Sequence, residues 1–331
     1  MTANVAALLL QHYVDNFRRL PWRSTPGESP PDPYRVWLSE VMLQQTTVAA
    51  VVPRFDRFVA RWPNVQALAG ARDEDILSEW AGLGYYARAR NLILCARQVA
   101  RLGAFPDTAA ELRKLPGVGD YTSAAIAAIA FGQRAAAVDT NVQRVVARLH
   151  GLREPSRSQI ETAVFDMLPE RRAGDFTQAM MDLGATVCRP RAPTCGVCPL
   201  SQHCLAFRSG DPQSFPAPKQ RRERPHRYGV AYWVERDGQV WLTRRPNKGM
   251  LGGMSALPGS EWTVALPGDA NAIGTVRHVF THFSLDLHVV LKLEPTGEGW
   301  WHLISELDRA GLPTLYRRAA DLALTRQQHA A

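Results

Sequence analysis

The sequence predicts an all-helical first two-thirds followed by a small α+β domain. Three observations lead there. Apolar residues recur at helical spacing, with no convincing strand alternation, as far as residue 205. From Phe207 to Arg227 the composition shifts to Pro, Ser, Gln and charge, and Pro212, Pro216, Pro218 and Pro225 discourage a helix. Beyond that stretch, strand-like runs flank Asp237-Gly238, a hairpin signal. With 331 residues and 46% hydrophobic content the chain can bury a substantial core. Two domains are expected, 1–206 and 228–331, joined by a linker over 207–227.

Residues 4–18 read as an amphipathic helix that stops before Leu20-Pro-Trp-Arg23, and Ser24 to Pro33 as a Pro/Gly-rich loop. Pro33 and Tyr34 open the next helix, which carries Val36-Trp-Leu-Ser-Glu-Val-Met-Leu-Gln-Gln-Thr46. Its Glu40 follows Val36 by four positions and Trp37 by three, and precedes Leu43 by three, so a carboxyl belongs to an otherwise apolar face. A buried, unpaired carboxyl is driven toward its neutral form, which a general acid requires; the alternative is a solvent-facing glutamate at the stripe's edge. Helices are expected over Val52 to Trp62, Val65 to Ala69, Glu74 to Ala81 and Ala87 to Leu102. Before the last of them, Gly82-Leu-Gly-Tyr-Tyr86 makes a turn, with Arg88 and Arg90 beyond it. Aromatics beside arginines suit stacking on bases and phosphate contact, and equally a connecting turn with packed tyrosines.

Leu115-Pro-Gly-Val-Gly119 then places two glycines directly before a helix over Asp120 to Phe131. Such a turn exposes backbone N–H groups and can bind an anion at the helix N-terminus, or it is a plain structural turn. The small residues Ala124, Ala125, Ala127 and Ala128 let that helix pack closely on a neighbour. In Val138-Asp-Thr-Asn141, Asp139 or Thr140 is an N-cap for the helix running to His150. The same position offers a fixed anion that can face a developing cation. Helices near Arg157 to Leu168 and Phe176 to Leu183 complete the first part.

The net charge of +8 favours a polyanionic partner, and arginine, which supplies nearly all the positive charge, suits bidentate phosphate contacts. The apolar run Val5 to Leu10 is too short to span a membrane, and no basic residue precedes it as in a signal peptide. A cytoplasmic, nucleoid-associated protein with no membrane partner is expected. Five cysteines in a reducing compartment argue against a disulfide framework, and Cys95, at helical spacing with Leu92, Ala96 and Val99, reads as a core thiol. The other four form Cys188-x6-Cys195-x2-Cys198-x5-Cys204 and must converge on one centre. Zinc competes for such a set, but zinc ribbons usually separate two Cys-x2-Cys knuckles more widely. A single tight loop better fits a [4Fe–4S] cluster.

Several of these segments, in this order, resemble the MutY-type adenine DNA glycosylases of the helix-hairpin-helix superfamily. They are Leu20 to Arg23, Ser39 to Thr46, Gly82 to Arg90, Leu115 to Gly119, Val138 to Asn141, Gln178-Ala-Met-Met-Asp-Leu-Gly-Ala185 and the cysteine loop. The resemblance implies an enzyme that removes adenine mispaired with 8-oxoguanine or guanine from double-stranded DNA, acts as a monomer and carries a [4Fe–4S] cluster on the four cysteines. The base is extruded and read in a pocket. By resemblance Glu40 protonates adenine N7, Asp139 stabilises the oxocarbenium-like sugar, and Tyr121 and Asn141 support the two acids. Trp22, Arg23, Leu43, Val48 and Gln178 correspond to the adenine pocket. Gln44, Gln45 and Tyr85 match residues that wedge into the base stack, and the amides of Gly117 and Gly119 would hold a phosphate near the extruded nucleotide, with Arg88 a further DNA contact on the chemistry of its turn. The related endonuclease III places a lysine nucleophile where this chain has Tyr121, which cannot form an imine, so a monofunctional glycosylase is expected.

In the last third, Tyr228 to Val234, Val240 to Thr243 and a strand within Arg277 to Leu293 are expected, with a closing helix over Leu315 to Gln327. This unit resembles the NUDIX-like domain of the same family. A nucleoside diphosphatase would need clustered glutamates for Mg²⁺, and between Gly252 and Thr275 the acids are Glu261 and Asp269. The domain should therefore bind and not hydrolyse. By resemblance Phe280, Thr281 and His282 form the loop that senses 8-oxoguanine, with threonine where the family commonly has serine. Two further readings compete: an endonuclease III-like glycosylase/lyase, and a non-catalytic iron–sulfur DNA-binding protein. Retention of both Glu40 and Asp139 opposes the second.

Overall fold

The computed structural model describes residues 2–218, 223–246, 249–265, 271–280 and 282–328. Lys219 to Arg222, Asp269 and Thr281 lie outside the described residues. The chain forms two compact units, Met1–Arg72 with Arg90–Gln220, and Asp73–Ala89 with Arg221–Ala331. No helix among the described residues is long and apolar enough to cross a membrane.

The first unit is helical, with no strand among its described residues: α1 (Thr2–Asp15), α2 (Pro33–Leu43), α3 (Val48–Arg61) and α4 (Val65–Ala69) come first. After α5 (Asp73–Glu79) in the other unit, α6 (Tyr86–Leu102) leads back, followed by α7 (Ala109–Leu112), α8 (Asp120–Phe131), α9 (Thr140–Leu149), α10 (Arg157–Met167) and α11 (Ala173–Asp182). Polar caps fix the starts. Asp32 accepts from Tyr34 N at 2.7 Å with Pro33 in the first turn, and Thr47 accepts from Ala50 N. Thr47 thus starts α3 four residues before the expected Val52, leaving Pro53 inside the helix.

Thr122 to Ala130 of α8 are all buried, and their small side chains let α11 come close. A Cβ on Gly174 would stand 2.7 Å from the Ala128 carbonyl oxygen, so the approach depends on that glycine. A core joins α1, α9, α10 and α11 through fully buried Leu9, Val146, Ile160 and Phe176. The helix expected to end at Leu183 gives way instead to a π-helical turn, Leu183–Val187. Thr186 Oγ1 donates to the Asp182 carbonyl at 2.8 Å and Cys188 N to the Leu183 carbonyl at 2.7 Å, which carries the chain into the cysteine loop. The expected linker is not free at its start. Its residues include the end of a short helix, α12 (Leu205–Arg208), the Phe215 carbonyl accepts from Arg148 Nε at 3.0 Å, and Ala217 N donates to the Arg153 carbonyl at 2.7 Å.

The second unit holds a mixed six-stranded sheet: β1 (His226–Arg236), β2 (Gln239–Arg244), β3 (Ser255–Ala256), β4 (Ala272–Val279), β5 (Ser284–Lys292) and β6 (Trp300–Leu303). The order is β3-β2-β1-β5-β4 with β6 on β2; β1 and β5 are parallel and the other pairs antiparallel. Asp237 and Gly238 have φ of 50° and 71°, the left-handed pair that a two-residue hairpin requires. Leu285, Leu287 and Val289 face a core shared with Leu315, Ala319 and Ala323 of α13 (Thr314–Gln328). The strand expected within Arg277 to Leu293 is β5; β4, which was not expected, pairs with it in a hairpin closed by Phe280 N donating to the Phe283 carbonyl at 2.9 Å.

Candidate active site

α2 and α8 pack together and bring Glu40 and Tyr121 into contact, the tyrosine hydroxyl donating to Glu40 Oε2 at 2.8 Å. Glu40 is only 7% exposed, which excludes the solvent-edge alternative. Burial pushes its carboxyl up to about 7; the Tyr121 hydrogen bond and the charge of Arg23 oppose the shift, and the Asp139 charge adds to it. Burial, with Glu40 and Asp139 nearby, likewise holds the Tyr121 hydroxyl well above its ordinary value, so it acts as a donor. The charges of the two acids thus act on each other and on Tyr121.

Asp139 is the N-cap of α9. Its Oδ1 accepts from Val142 N at 2.7 Å and its Oδ2 from Asn141 Nδ2 at 3.0 Å. Arg144, one turn on, donates to Asn141 Oδ1 at 2.7 Å, which fixes the amide with its nitrogen toward Asp139. The same guanidinium bonds the carbonyls of Gly184 at 2.7 Å and Cys188 at 2.8 Å. Gly184 is needed here, because a Cβ there would stand 2.6 Å from Asn141 Cβ.

Arg23 is buried and bidentate on Asp182, at 2.6 and 3.0 Å, with Arg18 on the same carboxylate at 2.9 Å. Trp22 is buried edge-on against Phe55, and the Gln178 amide bonds the Gly174 carbonyl at 3.3 Å. Leu43 and Val48 are half-buried at the facing ends of α2 and α3. Gln44 reaches Thr122 Oγ1 at 3.4 Å, while Gln45 is exposed in the left-handed region, φ 56°. That conformation disfavours a side-chain-bearing residue and is held by the flanking elements. On the segment 73–89, Tyr85 is also left-handed, φ 47°, and half exposed. Arg88 folds back onto its own turn, with bonds to the Leu83 and Gly84 carbonyls at 2.7 and 3.3 Å, and its guanidinium faces the Trp80 and Tyr85 rings.

Gly117 is left-handed (φ 74°) and packed so closely on Asn91 that a Cβ would clash at 2.6 Å. Gly119 caps α8 without any side-chain acceptor, which leaves the first-turn amides open to an anion. In the other unit, Phe280 stacks on Trp262 at 5.4 Å and packs on Phe283 at 4.8 Å, while His282 is exposed at the hairpin tip.

All four loop cysteines are free and line one small cavity with Arg148. Buried Arg148 donates to Cys188 Sγ at 3.3 Å, to the carbonyls of Arg189 and Pro190 at 2.7 and 3.1 Å, and its own carbonyl accepts from Cys204 Sγ at 3.3 Å. Among the described residues no three His, Cys, Asp or Glu side chains are placed to hold one metal ion. Arg144, Arg148 and Asp182 are the residues that sequence reasoning did not single out. The four-residue spacing of Arg144 and Arg148 puts both on one face of the helix behind Asp139 but does not say what they turn toward, and Asp182 carries no local signal.

A model of the HhH-GPD superfamily of base excision DNA repair proteins matches residues 38–170, and a NUDIX domain model matches residues 229–322. The adenine DNA glycosylase of Mycobacterium tuberculosis is 44% identical over 231 residues, covering 68% of this chain and 72% of that protein. That of Rattus norvegicus is 34% identical over 354 residues, covering 85% and 69%. Among solved structures, a thermostable thymine-DNA glycosylase matches with a TM-score of 0.56 at 29% identity, over 62% of this chain and 95% of that one. A buried carboxyl bonded by a tyrosine and reached by the charge of a second acid, on a chain matched over both units, leads to one conclusion: this chain belongs to the adenine DNA glycosylase family, enzymes of base excision repair.

Proposed function

We propose that the enzyme removes adenine opposite 8-oxoguanine, or opposite guanine, and leaves an abasic site without cutting the strand. The observation that carries this is the buried Glu40 held by Tyr121 within the field of Asp139. Because Oε2 accepts from Tyr121, the acid proton rides on Oε1 and is delivered to N7 of the extruded adenine. Protonation makes the base a neutral leaving group; as the bond to C1′ stretches, positive charge grows on the sugar opposite the Asp139 carboxylate. Two hydrogen bonds fix that carboxylate, so it need not reorganise during the reaction. Water completes hydrolysis at C1′. Trp22, Arg23, Leu43, Val48 and Gln178 shape the base pocket, Gln44 and Gln45 enter the gap in the stack, and the Gly117 and Gly119 turn holds the backbone; on the segment 73–89, Tyr85 offers a ring to the bases, with Arg88 bracing its turn.

The lyase alternative lacks a nucleophile: Tyr121 stands at the critical position, and Lys114 is mostly exposed and paired with Glu111 at 2.6 Å. A [4Fe–4S] cluster fits Cys188, Cys195, Cys198 and Cys204. Their thiols line one cavity, and a single tight loop with one Cys-x2-Cys suits a cluster. When bound, the cluster would tie the loop into one rigid body, with Arg148 holding the loop's entry. The net charge of +8 supports action on a polyanion such as DNA.

Purified enzyme on duplex with adenine opposite 8-oxoguanine should nick the strand only after alkali. Nicking without alkali, trapped by borohydride, would reject monofunctional action, and excision of a pyrimidine in preference to adenine would reject the substrate. Truncation of the lesion-sensing tip, His282→Ala, should lower the ratio of rates on 8-oxoguanine and guanine mispairs while sparing the chemistry. An unchanged ratio rejects that role.

A further inference from the structure

The Arg23–Asp182 pair is buried a short way from the acid, and the mechanism above gives Asp182 nothing to do. A guanidinium near a carboxyl that must keep its proton is a hazard, because ion pairing would strip the acid. Arg23 is close enough for its charge to act on Glu40, yet its two terminal nitrogens are both committed to Asp182, at 2.6 and 3.0 Å. Arg18 secures the same carboxylate from the outer side at 2.9 Å, and the Asp182 carbonyl is itself bonded by Thr186 at the start of the π-helical turn. Asp182 is 8% exposed, so the clamp is a fixed part of the interior.

We propose that Asp182 is a positioning residue for proton donation: by binding Arg23 bidentately it holds that cation off Glu40 and leaves Glu40 able to carry the acid proton. The inference rests on the reading of Glu40 as the general acid. The groups whose charge or hydrogen bond reaches Glu40 are Tyr121 from α8, Asp139 from the cap of α9, and Arg23 from the segment after α1. Of these, Arg23 and the Tyr121 hydrogen bond favour the ionised form, and the Arg23 charge is the one that Asp182 offsets. With Asp182 neutralised, Arg23 loses its partner and turns its charge on Glu40, so the acid ionises at lower pH.

The test is the pH dependence of single-turnover adenine excision by the full-length Asp182→Asn enzyme. Its high-pH limb should move down by about half a pH unit or more, a shift typical of one nearby uncompensated charge. The rate at low pH stays near wild type while the rate above neutrality falls several-fold. A uniform loss at every pH, with the inflection unmoved, would show a purely structural role and overturn the proposal. Asp182→Glu should restore the wild-type inflection. If Asp182→Asn does not fold, Arg23→Gln carries the test, because removing the cation should move the limb upward; an unmoved limb there overturns the proposal too. A Glu40→Gln enzyme that still excises adenine would instead overturn the underlying reading of the acid.

Discussion

Glu40→Gln should abolish adenine excision, lowering the single-turnover rate about 100- to 10,000-fold, the usual range for a lost general acid. Glutamine keeps the shape and still accepts the Tyr121 hydrogen bond, so the loss reports the missing proton and not a broken fold. Affinity for the mispaired duplex should stay within a few-fold of wild type. The same substitution should stabilise the protein at alkaline pH. The native carboxyl retains its proton up to about pH 7, whereas the unfolded chain releases it near 4.5. Stability therefore declines as the pH rises between those values, and the cost is complete above them. A shift from 4.5 to about 7 corresponds to about 3 kcal/mol for this buried group, and a neutral glutamine removes it. Urea unfolding at about pH 8 checks this, with a higher midpoint expected for Glu40→Gln. An unchanged midpoint would mean that the carboxyl is not buried at a cost.

Asp139→Asn should slow excision by about 100- to 1000-fold, the range for removing a preorganised group that faces developing charge. Asparagine is as good an N-cap as aspartate, so the bond from Val142 N survives and α9 remains capped. What is lost is the negative charge opposite the sugar, together with the acceptor for Asn141 Nδ2. Circular dichroism should be unchanged while the rate collapses. A variant that retains a tenth or more of the wild-type rate would show that Asp139 is a cap and nothing else.

The helices of the first unit were legible because their apolar stripes and caps are local. Depth was not. Periodicity puts Glu40 on the apolar face of α2, but only the packing of α8 against that face decides that it is buried and that Tyr121 bonds it. Arg144 and Arg148 were illegible for another reason: in an arginine-rich chain each reads as a phosphate contact, whereas here both turn inward, onto Asn141 and the cysteine loop. Asp182 could not be paired with Arg23 because such a long separation in sequence leaves no local trace. Alternation marked β5, whereas β4 was not legible as its hairpin partner, because Phe280-Thr-His-Phe283 contains none of the Gly, Asn, Asp or Pro that mark a tight turn. The π-helical turn after Asp182 has no signal beyond Gly184, whose need arises from its contact with Asn141.

The pH profile of single-turnover adenine excision by the wild-type enzyme tests the pairing of a protonated Glu40 with the Asp139 anion most directly. The rate should be high in mild acid and decline as the pH passes through about 7, where the buried carboxyl gives up its proton. A rate that stays level or climbs from about pH 6 to 9 would contradict it.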